Sequence, residues 1–203
     1  MTRRRAVLAA LLFGTACASS AQAQPAPILF VGSSIFERWA GLQSDMAPLP
    51  VVNRAISGTV TTDWLARLPQ VVAARPAVVV YYCGSNDVSI GEPASAIIGR
   101  IRQFIDGLRA ALPRTQFVYV SINKAPEKQD RWDVVDEVNA WVKQQAETRR
   151  TITFVDVNPV LFARDGSPRL DLYVADGLHL RRPAYVEFAR ILKPAIQKVY
   201  AGA

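Results

Sequence analysis

Ala77-Val78-Val79-Val80-Tyr81-Tyr82-Cys83-Gly84-Ser85-Asn86-Asp87 changes character abruptly halfway along. Val78 to Tyr82 is an unbroken run of β-branched and aromatic side chains, as a parallel strand covered on both faces requires. Gly84 and the polar residues behind it then break the run at a turn. Four more segments read as strands: Ile28 to Val31, Val51 to Asn53, Gln116 to Ile122 and Thr151 to Val157. Helical stretches lie between and after them, at Thr61 to Ala74, Pro93 to Leu112, Asp133 to Arg149 and Pro183 to Tyr200. In the second, Ile97, Ile98, Ile101, Phe104, Ile105 and Leu108 recur three and four residues apart, which makes one apolar stripe to lay on a sheet. Strands alternating with helices predict right-handed crossovers, hence an α/β fold with a five-stranded parallel sheet and helices on both faces.

The 203 residues, 50% of them hydrophobic, suffice for one domain with a substantial core. The N-terminus reads as a leader: Arg3, Arg4 and Arg5 precede an apolar run from Ala6 to Ala16, and Ala21-Gln22-Ala23 is a cleavage site of small residues. The run is too short to span a bilayer, which needs ~20 apolar residues. Residues 1–23 are therefore expected to be a signal peptide and 24–203 a single domain that is periplasmic or secreted, without stable membrane insertion. The paired arginines also permit twin-arginine export, and lipidation of Cys17 is a secondary option because its preceding residues make a poor lipobox. Of 24 basic and 17 acidic residues, loss of the three leader arginines lowers the excess from +7 to +4. The remaining cations are scattered, which argues against a nucleic-acid partner. Cleavage would also remove Cys17, leaving Cys83 alone and no internal disulfide to form.

In a parallel α/β sheet, ligands bind at the carboxyl ends of the strands. The candidate residues lie in the segments that follow them: Gly32-Ser33-Ser34 after the first strand, Asn53 to Thr59 after the second, Gly84 to Asp87 after the third. The fifth leads through a loop to Asp176-Gly177-Leu178-His179. His179 is the only histidine, so imidazole chemistry near neutral pH would fall to it. Asp176, three residues earlier across a glycine turn, can meet the ring Nδ1 and leave Nε2 facing outward as an acceptor. Ser34 suits a nucleophile better than Ser33, which reads as a helix N-cap. Gly58 offers an unobstructed backbone N–H and Asn86 a side-chain amide; with the Ser34 amide they can hold an oxyanion. Taken singly, Gly58 and Asn86 are ordinary turn residues, and Cys83 continues a buried run as a small core residue. Dinucleotide, phosphate-loop and zinc motifs are lacking, and one histidine with one cysteine cannot build a usual zinc site. Only Asp87 and Asp176 could serve a carboxylate metal site, so no metal or cofactor is expected.

These blocks together resemble the SGNH (GDSL-type) hydrolases: Ser34 in a G-x-S-I turn, Gly58 in N-x-x-x-x-G, Asn86 in G-x-N-D, and D-x-x-H ending at His179. The resemblance spans nearly the whole chain after the leader. It implies Ser34 as nucleophile, Ser34, Gly58 and Asn86 as oxyanion donors, His179 as base and Asp176 as its orienting acid. It also implies a flavodoxin-like three-layer α/β/α fold and hydrolysis of esters or thioesters without a metal. Ser33 stands where the family commonly has Asp, and Ala55 where a glycine is common. The expected activity is a serine esterase acting through an acyl-enzyme on short-chain or acetyl esters, small or on saccharides. Alternatives are a lysophospholipase, thioesterase or acyltransferase using the same site, and a binding module without turnover. Trp39, Leu172, Tyr173 and the loop from Lys124 to Trp132 are expected to border the cleft.

Overall fold

Each apolar run becomes a strand because both of its faces are covered. The computed structural model describes Ala26–Gly202; the expected leader, Cys17 included, lies outside the described residues. The strands are β1 (Ile28–Gly32), β2 (Val51–Asn53), β3 (Val78–Tyr82), β4 (Gln116–Val120) and β5 (Ile152–Val155), all parallel, in the order β2-β1-β3-β4-β5. This is the flavodoxin-like order. The helices are α1 (Ser34–Glu37), α2 (Leu42–Met46), α3 (Thr61–Ala73), α4 (Ser85–Ser89), α5 (Ala94–Ala111), α6 (Trp132–Thr148), α7 (Asn158–Leu161) and α8 (Arg182–Tyr200), with 3₁₀ turns at Pro126–Arg131 and Leu170–Leu172.

Alternation along the strands divides the interior into two cores. Ile28, Phe30, Val78, Val80 and Tyr82 pack against Trp39, Tyr185, Phe188 and Leu192 from α8 and the segment after β1. Leu29, Val31, Val79 and Tyr81 face α3, α5 and α6 through Trp64, Ile101, Phe104 and Val138. The helical stripe of α5 is buried as its spacing predicts, with Ile98 only partly covered.

Two strands stop earlier than their apolar runs, for a reason visible in the hydrogen bonds. After Val120 the backbone of Ile122 pairs with a side chain: its N–H donates to Asn139 Oδ1 and its carbonyl accepts from Asn139 Nδ2, both at 2.9 Å. After Val155 the N–H of Val157 donates to Ser121 Oγ at 2.9 Å. The chain thereby leaves the ladder without orphaning buried backbone groups. Three expected cleft residues are corrected here. Trp39, Leu172 and Tyr173 are 2%, 1% and 2% exposed and belong to the core. Trp39 stacks near Tyr185 at 5.1 Å and donates its indole N–H to Asp45 at 2.7 Å.

The chain steps from β1 to β2 on one side, then crosses to β3 on the other. The crevice between the ends of β1 and β3 is therefore the switch point at which this topology places ligands. Gly32 closes it tightly: with φ at +140°, a Cβ there would lie 1.9 Å from the Tyr82 carbonyl oxygen.

Candidate active site

Ser34 is the first residue of α1, directly beyond β1, and its backbone N–H has no acceptor within the helix. Ser33 takes the N-cap position but makes no side-chain capping bond; its N–H donates instead to the Tyr82 carbonyl at 3.1 Å, fastening the turn to β3. Ser34 Oγ lies 3.0 Å from His179 Nε2, across 145 positions of sequence. His179 Nδ1 lies 2.6 Å from Asp176 Oδ2, and Asp176 Oδ1 accepts the backbone N–H groups of Leu178 and His179, each at 2.9 Å. One carboxylate thus holds both the ring and the turn that carries it. Desolvation pushes the Asp176 carboxyl upward, but the hydrogen bonds from the His179 ring and from the His179 and Leu178 amides outweigh it and hold the carboxyl at about 2. An ionised Asp176 assigns the ring proton to Nδ1 and leaves Nε2 free to accept from the serine hydroxyl.

The other two candidate residues lie beyond the ends of the neighbouring strands β2 and β3. Gly58 lies in the loop after β2, exposed, with φ at +79° and open space where a Cβ would be. That loop is drawn to β1 by the Ile56 N–H donating to the Gly32 carbonyl at 2.9 Å. Asn86, on the first turn of α4, donates one amide N–H to the Thr59 carbonyl at 2.9 Å, which orients the carboxamide and leaves its second N–H. Among the described residues, no protein group accepts from the amides of Ser34 or Gly58.

The residue that reading the sequence missed is Thr59. Its hydroxyl donates to Gly32 O at 3.1 Å or Ile56 O at 2.8 Å and accepts from the Trp64 indole at 3.0 Å, while its carbonyl takes the Asn86 amide. It therefore joins three of the strand-end segments. No local motif marks it, because every partner but Ile56 and Trp64 is remote in sequence. Two further ties bind the serine helix to the Gly58 loop: Asn53 Nδ2 donates to Phe36 O at 2.6 Å and Ser57 Oγ to Glu37 at 2.7 Å.

Asp87 and Cys83 do other work. Asp87 is fully buried, and its carboxylate accepts from the Thr61 backbone and hydroxyl and pairs with Arg100 at 3.0 Å, anchoring α3 to α4 and α5. It has no free face to offer a metal. Cys83 is also fully buried, and burial pushes its thiol well above the usual range, so it stays protonated. A cavity of about 540 Å³ lies between the β2 edge and α3, and none of Ser34, Asp176 and His179 lines it. Ser34 itself is 7% exposed, while the side chains of His179 and Asp176 are 15% and 46% exposed.

Solved structures share this fold. A GDSL-like lipase from Bacteroides thetaiotaomicron superposes with a TM-score of 0.74 at 22% identity, covering 86% of this chain and 89% of that one. A carbohydrate esterase of family 3 from Talaromyces cellulolyticus gives 0.70 at 21%, covering 88% and 99%. A variant of an acetyl-xylooligosaccharide esterase from Geobacillus Stearmophilus gives 0.67 at 20%, covering 86% and 94%. Comparison with curated protein sequences gives no match. Residues 24–185, most of the chain, match the GDSL-like lipase/acylhydrolase family. The chain belongs to that family, and is with it a carboxylic ester hydrolase.

Proposed function

We propose that the protein is an exported serine esterase that removes short acyl groups, acetyl foremost, from small or saccharide esters. The observation that carries the catalytic part is the continuous hydrogen-bonded line from Asp176 through His179 to Ser34. His179 Nε2 takes the hydroxyl proton as Ser34 Oγ bonds to the acyl carbon. The resulting oxyanion is held by the amides of Ser34 and Gly58 and the free N–H of Asn86, each donor worth ~10²–10³ in turnover. Collapse breaks the bond to the alcohol, which leaves with the proton from His179. Water, deprotonated by the same nitrogen, then attacks the acyl-enzyme and releases the acid and the free serine.

The preference for short acyl groups is supported by two structural neighbours, one a carbohydrate esterase and the other a variant of an acetyl-xylooligosaccharide esterase. Export rests on the leader-like Met1–Ala23, and a mature N-terminus at Gln24 in the exported protein is the expected outcome of terminal sequencing. Substrate class is tested with nitrophenyl esters of increasing chain length beside acetylated xylo-oligosaccharides. The proposal expects kcat/KM to be highest for acetyl and butyryl groups and to fall beyond them; a rise towards long chains would overturn the substrate assignment.

A further inference from the structure

Among the described residues, Asp87 and Lys128 are the buried side chains of the Asp, Glu, Lys and Arg types. Asp87 is accounted for by Arg100 and Thr61, whereas Lys128, 2% exposed, takes no part in the chemistry described above. Its ammonium is nonetheless completely engaged. Nζ donates to the Ser85 carbonyl at 3.2 Å, to Ser85 Oγ at 3.0 Å and to Ser89 Oγ at 2.8 Å, and faces Glu127 at 3.1 Å. Every hydrogen-bond acceptor apart from Glu127 belongs to α4, the helix that carries Asn86. The Ser85 carbonyl is half of the peptide group that joins Ser85 to Asn86.

A five-residue helix cannot hold its own direction, because one turn is not self-sustaining in water. What aims α4 must come from outside it: Asp87 ties it to Thr61 and Arg100, the Asn86 amide is held by the Thr59 carbonyl, and Lys128 holds Ser85 and Ser89. The lysine sits in the 3₁₀ turn Pro126–Arg131, whose Glu127 N–H donates to the Gly177 carbonyl at 3.2 Å, between Asp176 and His179. One short turn thus touches both the helix bearing the amide donor and the loop bearing the acid and base.

We infer that Lys128 is a positioning residue for the oxyanion hole: by gripping the Ser85–Asn86 peptide group and Ser89 it fixes where the Asn86 carboxamide points, and it affects turnover through Asn86. This inference rests on the reading of Asn86 as an oxyanion donor. A burying lysine that served stability alone would be indifferent to what stands at position 86.

The test is a double-mutant cycle on the full chain, with kcat and KM measured on nitrophenyl acetate for wild type, Lys128→Met, Asn86→Ala and the pair. Asn86→Ala is expected to lower kcat by ~10²–10³. Lys128→Met is expected to lower kcat by about tenfold or more with little change in KM, and by less than about twofold when Asn86 is already Ala. Equal losses in both backgrounds, or an unchanged kcat with only a lower melting temperature, overturn the inference. If Asn86→Ala itself leaves kcat intact, the oxyanion reading fails first and takes the inference with it. Should Lys128→Met not fold, Ser85→Ala, which removes one acceptor and keeps the lysine, carries the same comparison: its loss must vanish in the Asn86→Ala background.

Discussion

In the proposed mechanism turnover depends on Ser34 and His179, and their loss should be nearly total. Ser34→Ala and His179→Ala should each lower kcat by ~10⁶, measured on any nitrophenyl ester that the wild type hydrolyses. Asp176→Asn keeps the shape but loses the anion that sets the tautomer, and ~10⁴ is the expected loss. Because the Asp176 carboxyl titrates near about 2, it stays ionised down to strongly acid solution. A fall in activity on mild acidification is therefore not the titration of Asp176. At this scale the sequence was most readable where residues are chemically scarce: a lone histidine with an Asp three positions before it permits few readings. Thr59 and Lys128 escaped because their roles consist of contacts with partners mostly 24 to 43 positions away.

Among the elements, the strand ends decide whether the site exists at all. Gly32→Ala should abolish stable folding or cost ~3 kcal/mol or more, since the new Cβ would collide with the Tyr82 backbone of the adjacent strand and the residue holds φ at +140°. Urea midpoints on the purified variant check this. Asp87→Ala should cost ~3–5 kcal/mol in the same measurement by leaving Arg100 and the Thr61 amide without their buried partner. The apolar runs located all five strands, since continuous burial leaves a continuous signature. They overran at Ile122 and Val157, where an Asn139 or Ser121 side chain takes the place of a neighbouring strand, and composition cannot register that. Trp39 was misplaced for a related reason: an aromatic just after the serine turn suits a cleft wall and a core equally, and only α8 folding over it decides.

For the whole molecule, two ion-paired or hydrogen-bonded carboxylates link stability to pH. Asp45 is lowered chiefly by its hydrogen bond from Arg182, which ties α2 to α8, and Asp176 by the bonds from His179 and Leu178. A carboxyl whose folded pKa lies below its unfolded value, about 3.9, stabilises the fold above that pH and loses the contribution as pH falls toward the folded value. Thermal unfolding should accordingly show a melting temperature that falls between about pH 4 and pH 2, and substituting Arg182→Met should flatten part of that slope. The parallel sheet with helices on both faces was implied by the order of apolar runs and helices, and the flavodoxin-like strand order, which sets the switch point, by the family resemblance. The meeting of the segment after β1 with the loop after β5 was expected from their shared place at the carboxyl ends of the strands, and the 3.0 Å approach of Ser34 to His179 agrees with it. That meeting is the centre of the account, and a fluorophosphonate probe followed by intact-mass and peptide mapping tests it most directly. One adduct on Ser34, absent from Ser34→Ala and strongly slowed in His179→Ala, is the expected result; an adduct on another residue, or one that persists in Ser34→Ala, would contradict it.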